Sequence, residues 1–363
     1  MVMMVVGLFA TGCEGGSGGD TGADPSGAST TATPTTTDAG ATTDAGTTTD
    51  APTTTDAPTT TDTSMTTEGP APACDAEALQ ANKDLALKVS LDVFLANAPA
   101  DGVLSKDFVA HFPAGQPDQD LTGFLGFGAA FRAALPDAAF AFTHVVADAD
   151  LVALRYIGTG THEGELFGVP ATHKALRWEG MVIRRVAGGL VVEEWNAPDN
   201  AGLLGQLAGD TPLLDPASAD HQGAGDCTPS VLAANKAVTL AVSNEVVLKG
   251  AAPDMWISPD FVMHNPNGIP DQDLNGFLGF NAGFRAAFPD AAFTFTHTLG
   301  EGGLVTIRYT ATGTHSADFL GVPATGKAIA WEGMVIRRID ADKAAEEWNA
   351  PDLAGILGQL TAP

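Results

Sequence analysis

Tyr156-Ile157-Gly158-Thr159-Gly160-Thr161-His162 begins a run that continues through Gly168-Val169-Pro170-Ala171-Thr172 and Trp178-Glu179-Gly180-Met181-Val182-Ile183-Arg184-Arg185, and ends at Glu193-Glu194-Trp195-Asn196-Ala197-Pro198-Asp199 with Leu204-Gly205-Gln206-Leu207. The same text returns from Tyr309 through Thr312-Gly313-Thr314-His315, Trp331 and Glu346-Glu347-Trp348-Asn349-Ala350-Pro351-Asp352 to Gln359-Leu360. The offset stays at 153 (352 minus 199, and 227 minus 74 for two cysteines). The chain is therefore one domain written twice, and each copy is long enough to bury its own core.

Around that run the periodicity changes once per copy. Residues 79–98 carry apolar rows at helical spacing, Leu85, Val89, Val93 and Leu87, Leu91, Leu95. Residues 105–111 read as a short helix or strand. Asp120 is placed to cap a second helix whose stripe is Phe124, Phe127, Phe131 and Leu135, stopped by Pro136. From Ala138 the period becomes two, with Phe140, Phe142 and His144 expected on one strand face. Residues 151–162, 174–186 and 190–196 follow as strands, separated by Asp/Gly, Gly-Val-Pro and Gly-Gly turns. Helices first and then a meander predict an α+β domain, with helices on one face of a curved antiparallel sheet.

The boundaries follow from composition. Residues 1–13 hold a short apolar stretch ending in Ala10-Thr11-Gly12-Cys13, which is similar to a bacterial lipobox and makes Cys13 the expected lipidation site. No Lys or Arg precedes Lys83, so the positive segment that normally starts such a signal is expected upstream of Met1. Residues 14–73 are rich in Thr, Asp, Ala, Gly and Pro and are expected to be a disordered tether, because they offer no apolar surface to offset the entropy of ordering. Domain 1 is then 74–207, the connector 208–226 and domain 2 227–363. Export and a lipid anchor in a bacterial envelope are the expected location. Cys74 and Cys227, at equivalent positions, stand either as a disulfide or as two thiols.

The formal net charge of −27 argues against nucleic acid, and against a membrane contact other than through the lipid. There is no phosphate-binding glycine loop, no HExxH, no CxxC and no GxSxG elbow. The histidines are scattered, with no metal-ligand spacing. No cofactor and no metal are expected. What both copies keep is a polar and aromatic set: His111/His264, His144/His297, Tyr156/Tyr309, His162/His315, Trp178/Trp331, Trp195/Trp348 and Asp199/Asp352.

These motifs carry a family resemblance. Thr-Gly-Thr-His, Gly-Val-Pro-Ala-Thr with Lys two residues on, Trp-Glu-Gly-Met, and Glu-Glu-Trp-x-x-x-Asp with Leu-x-Gln-Leu resemble the SnoaL-like polyketide (ester) cyclases, in order and over both domains. Phe288 to Asp290, Leu-Pro-Asp in the first copy, fits as well. The resemblance implies two tandem NTF2-like cones, each enclosing a mostly apolar pocket. It also implies intramolecular aldol chemistry with an aspartate as general acid/base, which falls on Asp199 and Asp352. His162 and His315 are the accompanying catalytic candidates. His111, His264, Tyr156, Tyr309, Trp178, Trp331, Trp195 and Trp348 are candidates for contact with a small apolar or carbonyl-containing molecule. Family members pair as dimers, so the two copies are expected to pair within the chain.

Each residue also has a plainer role. Asp199 can cap a last helical turn, His162 can satisfy a turn, His144 can be a core histidine, and the tryptophans can be core. Arg184-Arg185 and Glu193-Glu194 can pair across strands as surface charges. Phe112 and His173 are replaced by Asn265 and Gly326 in the second copy, so the pockets need not match. Two functions stand at this point, a cyclase or a relative and a non-catalytic binder of a small apolar ligand, beside a third reading in which the domains are structural and their pockets are filled by their own side chains.

Overall fold

The computed structural model describes residues 76–113, 115–209, 221–222, 225–266 and 269–363. The expected signal segment with Cys13, the expected tether, Cys74 and most of the connector lie outside the described residues, and so does the question of a Cys74–Cys227 bond.

The first copy runs α1 (Ala76–Lys88), β1 (Leu104–His111), β2 (Gln119–Asp120), α2 (Leu121–Ala134), β3 (Ala139–Asp148), β4 (Leu151–Thr161), β5 (Ala175–Ala187), β6 (Leu190–Pro198) and α3 (Asn200–Ala208). After a short β7 (His221–Gln222), the second copy repeats the scheme. It has α4 (Pro229–Ala241), β8 (Ile257–His264), β9 (Gln272–Asp273), α5 (Leu274–Ala287), β10 (Ala292–Glu301), β11 (Leu304–Thr314), β12 (Ala328–Asp340), β13 (Lys343–Pro351) and α6 (Leu353–Thr361). A π-helical turn extends α1 over Val89–Leu95 and α4 over Val242–Leu248. The ambiguous segment after α1 is a strand, β1. It pairs parallel with β6, as β8 does with β13, beside the antiparallel meanders β3–β4–β5–β6 and β10–β11–β12–β13, and in the first sheet β7 adds a second parallel pair on β3.

Local chemistry accounts for the element ends. Asp120 accepts from Gly123 N at 2.8 Å and caps α2, and Asp273 does the same for α5. Gly188-Gly189 take positive φ at both positions of the β5–β6 hairpin, the conformation a two-residue turn of matching twist needs. The second copy holds the same turn with Ala341 and Asp342, at φ +46° and +61°, where a side chain makes that backbone costly.

One strand departs from simple alternation. The β3–β4 register shifts between Phe142 and His144, a bulge at Thr143. Phe140 and Phe142 pack toward the helices, but His144 is carried to the opposite face, where its ring lies 4.1 Å from that of Trp348. The expectation that the three share a face is thus corrected.

That outer face meets the other copy. Val146, Met181, Ile183 and Trp195 form one apolar cluster with Leu299, Met334, Ile336 and Trp348. Lys83 Nζ reaches Glu301 Oε1 at 2.5 Å, and the equivalent pair Lys236–Asp148 bridges the copies in the other direction. On the inner faces the copies differ. The buried apolar residues of the first copy fall into separate groups, whereas in the second the equivalent residues join into one.

Candidate functional site

The separate groups of the first copy surround a cavity of about 440 Å³. Its wall is aromatic. Phe94 follows α1, Phe124, Phe127 and Phe131 come from α2, Phe140 from β3, Tyr156 from β4 and Trp178 from β5. Cross-strand glycines make room for two of these rings. A Cβ on Gly158 would lie 2.2 Å from the indole of Trp178, its β5 partner, and a Cβ on Gly180 would lie 2.3 Å from the Tyr156 hydroxyl.

Asp199 sits where β6 passes into α3, and much of the family-like text serves to hold it there. Gln206 accepts from Arg177 N at 2.9 Å and donates back to Arg177 O at 2.5 Å, docking α3 on β5. Lys174 donates to the last carbonyls of α3, Gln206 O at 3.3 Å and Leu207 O at 3.1 Å. Asp137 of the Leu-Pro-Asp segment binds Thr161 N at 2.6 Å and fixes the end of β4. The Asp199 carboxyl itself is divided. Oδ1 accepts from Gly202 N at 2.9 Å and caps α3. Oδ2 is buried, and no described residue gives it a hydrogen bond. Burial raises the Asp199 pKa from 3.8 to about 7, the Gly202 N–H opposes the shift, and the negative charge of Glu179 adds to it. The carboxyl thus lines the cavity with its acid and base forms both accessible near neutrality.

Behind the aromatic wall lies a polar floor that the residue patterns had pointed away from. Arg184 and Glu194 pair at 2.6 Å, as the strand register requires, but they are 4% and 2% exposed at the side chain rather than on the surface. Arg184 also donates to Ala86 O at 2.5 Å and Ser90 Oγ at 2.8 Å, and Asn196 donates to Glu194 Oε1 at 2.8 Å. Ser90, Arg184, Glu194 and Asn196 all line the cavity. The signal for this was present. Trp178, Val182 and Arg184 alternate on one face of β5, and Glu194, Asn196 and Pro198 on one face of β6. Burial and the nearby Glu194 charge push the Tyr156 phenol up, so it remains a neutral donor.

Other candidates fall elsewhere. His162 is fully buried outside the cavity lining. Its Nδ1 accepts from Thr172 N at 3.2 Å and lies 2.9 Å from Thr172 Oγ1, which secures the β4–β5 loop. Burial lowers its pKa, and His315 repeats the arrangement with Thr325. His111 and Trp195 stack at 5.5 Å on the opposite face of the sheet, with His297 of the other copy 4.1 Å from Trp195 and the Arg185 guanidinium 5.0 Å from its ring. His264 stacks on Trp348 at 4.8 Å in the same way. These four residues, expected as ligand contacts, occupy the seam between the copies.

The second cavity measures about 130 Å³. Tyr309 and Trp331 line it, as do Arg337 and Glu347, but Asp352 does not. Asp352 caps α6 through Gly355 N at 2.9 Å and borders a separate, open pocket that includes Gly115 of the first copy. Among the described residues no cluster of three metal-ligating side chains occurs.

The model of the SnoaL-like polyketide cyclase family matches residues 95–207 and again 248–360. Among solved structures, the chain is similar to the candidate hydroxylase AclR of Streptomyces galilaeus at 25% identity, over 36% of this chain and 82% of that one, with a TM-score of 0.33. It is similar to a candidate SnoaL-like polyketide cyclase of Jannaschia sp. at 21%, over 39% and 99%, with a TM-score of 0.35. The candidate polyketide cyclase IdmH of Streptomyces antibioticus is 29% identical, over 35% and 99%, with a TM-score of 0.31. No curated protein matches the chain.

Proposed function

The chain belongs to the SnoaL-like polyketide cyclase family, and on that premise we propose that its first copy closes a ring in a carbonyl-containing substrate by intramolecular aldol chemistry, with Asp199 as the acid and base. One observation carries the reading: Asp199 lines an aromatic cavity with one carboxyl oxygen buried and without a hydrogen-bond partner among the described residues, and that burial pushes its pKa up to about 7. The Asp199 carboxylate takes a proton from the activated carbon. The resulting enolate carbon attacks the carbonyl within the same molecule, forming the C–C bond, and the alkoxide takes a proton back from Asp199. Tyr156, kept protonated by burial, is a donor on the cavity wall that can polarise the carbonyl. The aromatic wall favours a flat apolar chain over a charged one.

The test is conversion of a linear poly-β-ketone ester to a cyclised product, followed by mass spectrometry. Asp199→Asn should abolish product while the circular dichroism spectrum is kept; retained turnover overturns the reading. The aromatic enclosure equally suits a binder without chemistry, for which ligand affinity would survive that substitution and no product would form with the unaltered chain.

We also propose that the chain is exported and anchored through a lipid on Cys13, on the strength of Ala10-Thr11-Gly12-Cys13 and the Thr/Asp/Ala/Pro-rich stretch that follows. Incorporation of labelled palmitate that is lost in Cys13→Ser would support this. The apolar seam and the two reciprocal Lys–carboxylate bridges support internal pairing of the copies. Light scattering should then give the mass of one chain.

A further inference from the structure

The cavity of the second copy is narrowed rather than closed, and its lining changes in kind as well as in size. Phe277, Asn281 and Phe284 lie on the buried stripe of α5, where α2 of the first copy has Phe124, Gly128 and Phe131. An amide thus replaces a glycine in the middle of a stripe that lines the cavity. A second change makes room for it. In the first copy a Cβ on Gly128 would lie 3.2 Å from the Phe94 ring, and the residue equivalent to Phe94 in the second copy is the smaller Val247.

Asn281 is 5% exposed and lines the cavity. Its Nδ2 donates to Phe277 O, one turn back, at 2.8 Å, and no described residue donates to its Oδ1. Asparagine is a poor residue for a helix interior, and a buried amide oxygen without a donor is costly, so neither helix propensity nor packing accounts for it. The same shortage of donors shows at Asn349, which lines the cavity from β13 with a buried Oδ1 that no described residue bonds. The wall around Asn281 is aromatic, with the Phe284 ring 6.1 Å from those of Phe293 and Trp331. The room is about 130 Å³, and a cavity of about 150 Å³ holds benzene, so the space suits a single ring. Arg337 and Glu347, the charged residues of the lining, pair with each other at 2.7 Å and leave no net charge to meet an ion. Phe280 and Ile269 line the cavity while 41% and 37% exposed, so it reaches the surface beside them.

We propose that the second copy is a binding site for a neutral, single-ring phenol, whose ring lies among Phe277, Phe284, Phe293 and Trp331 and whose hydroxyl donates to Asn281 Oδ1. The hydroxyl supplies the donor that the cavity lacks, and the aromatic wall takes the ring. The amide sets the specificity. Phenol and toluene have nearly the same shape, but phenol alone gives up a hydrogen bond to water on entry, so a cavity without an acceptor favours toluene. With Asn281 accepting, the order reverses. No covalent bond forms or breaks at this site, and the chemistry of the first copy is not involved. The chain then carries two different sites, a wide one lined by Asp199 and a narrow one read by Asn281.

The experiment titrates phenol and toluene into the ¹⁵N-labelled full chain and follows the tryptophan indole N–H signals by NMR. The Trp331 signal, assigned by its loss in Trp331→Phe, reports the second copy, and the Trp178 signal reports the first. Phenol should move the Trp331 signal saturably and bind there more tightly than toluene. Asn281→Leu removes the amide and keeps most of its volume. In that variant toluene should bind more tightly than phenol, with the ratio of the two dissociation constants changed at least about tenfold. A Trp331 signal unmoved by phenol, toluene binding more tightly in the unaltered chain, or a smaller change of ratio in Asn281→Leu overturns the proposal. If thermal melting shows that Asn281→Leu does not fold, Asn281→Gly, the residue with which the first copy folds, is read by the same criteria. No turnover enters and Asp199 is untouched, so a failure here is distinct from a failure of the cyclase reading.

Discussion

The two copies share strand order, helix caps and a buried ion pair, yet one encloses about 440 Å³ and the other about 130 Å³. Several positions carry a larger side chain in the second copy, and two of these, Phe319 and Met263, line its cavity. Leu135, Leu166 and Ala110 of the first copy are Phe288, Phe319 and Met263 in the second, and Gly158 under Trp178 is Ala311. Phe288 and Phe319 meet edge-on at 5.1 Å and help to join the second core into a single cluster. The polar floor survives the filling: Arg337–Glu347, with Thr239 O and Ser243 accepting from Arg337, matches Arg184–Glu194. A residue set retained in both the open and the filled copy is holding the cone together, whereas a feature confined to the open copy is a candidate for chemistry. By that criterion the ion pair is structural, and the placement of Asp199 on the cavity is the candidate for chemistry.

The largest effect should come from the two aspartates. Asp199→Asn is expected to lower turnover by roughly 10²–10⁴-fold, and Asp352→Asn by less than about threefold, read as product per chain. Equal losses would break the comparison. Next, Arg184→Met and Arg337→Met should each cost about 3–5 kcal/mol in urea unfolding, since each leaves a buried carboxylate without its partner. A cost in one copy alone would show that the pair serves different ends in the two.

A third test uses pH. The Asp199 pKa is raised from 3.8 to about 7 in the fold, so its contribution to stability is full below about pH 4 and is lost as pH rises through 7. Asparagine also caps helices but does not ionise. Asp199→Asn should therefore gain about 2–4 kcal/mol over the unaltered chain at pH 8 relative to pH 4, measured by denaturant titration. No gain would mean that the carboxyl is better solvated than its burial implies. The smallest change sharpens the comparison from the other side. Phe288→Leu and Phe319→Leu should each cost about 1–2 kcal/mol, and together they should let the second copy bind naphthalene, raising the calorimetric stoichiometry from one to two.

Much of the fold was legible because its signals are local. The offset of 153, the stripe from Phe124 to Leu135, the cap at Asp120 and the Gly188-Gly189 turn depend on neighbours in sequence, and each appears where expected. The site was less legible. Tyr156, Trp178 and Asp199 line the first cavity, but His162 holds a loop, and Trp195 with His111 lies on the far side of the sheet. For His144 the cause is the bulge at Thr143, since one extra residue reverses the face of the rest of β3. Asp199 was also open between capping and catalysis, and the residue both caps α3 through Oδ1 and lines the cavity.

What the amino-acid sequence determined by itself is the duplication, the α+β class and the family, because these rest on periodicity and on motifs that a strand or a turn carries within a few residues. Tertiary structure alone decided which copy stays open and which aspartate reaches the cavity. Those outcomes depend on side-chain volumes and strand faces brought together across 153 residues of chain, and no local pattern records where two such surfaces meet.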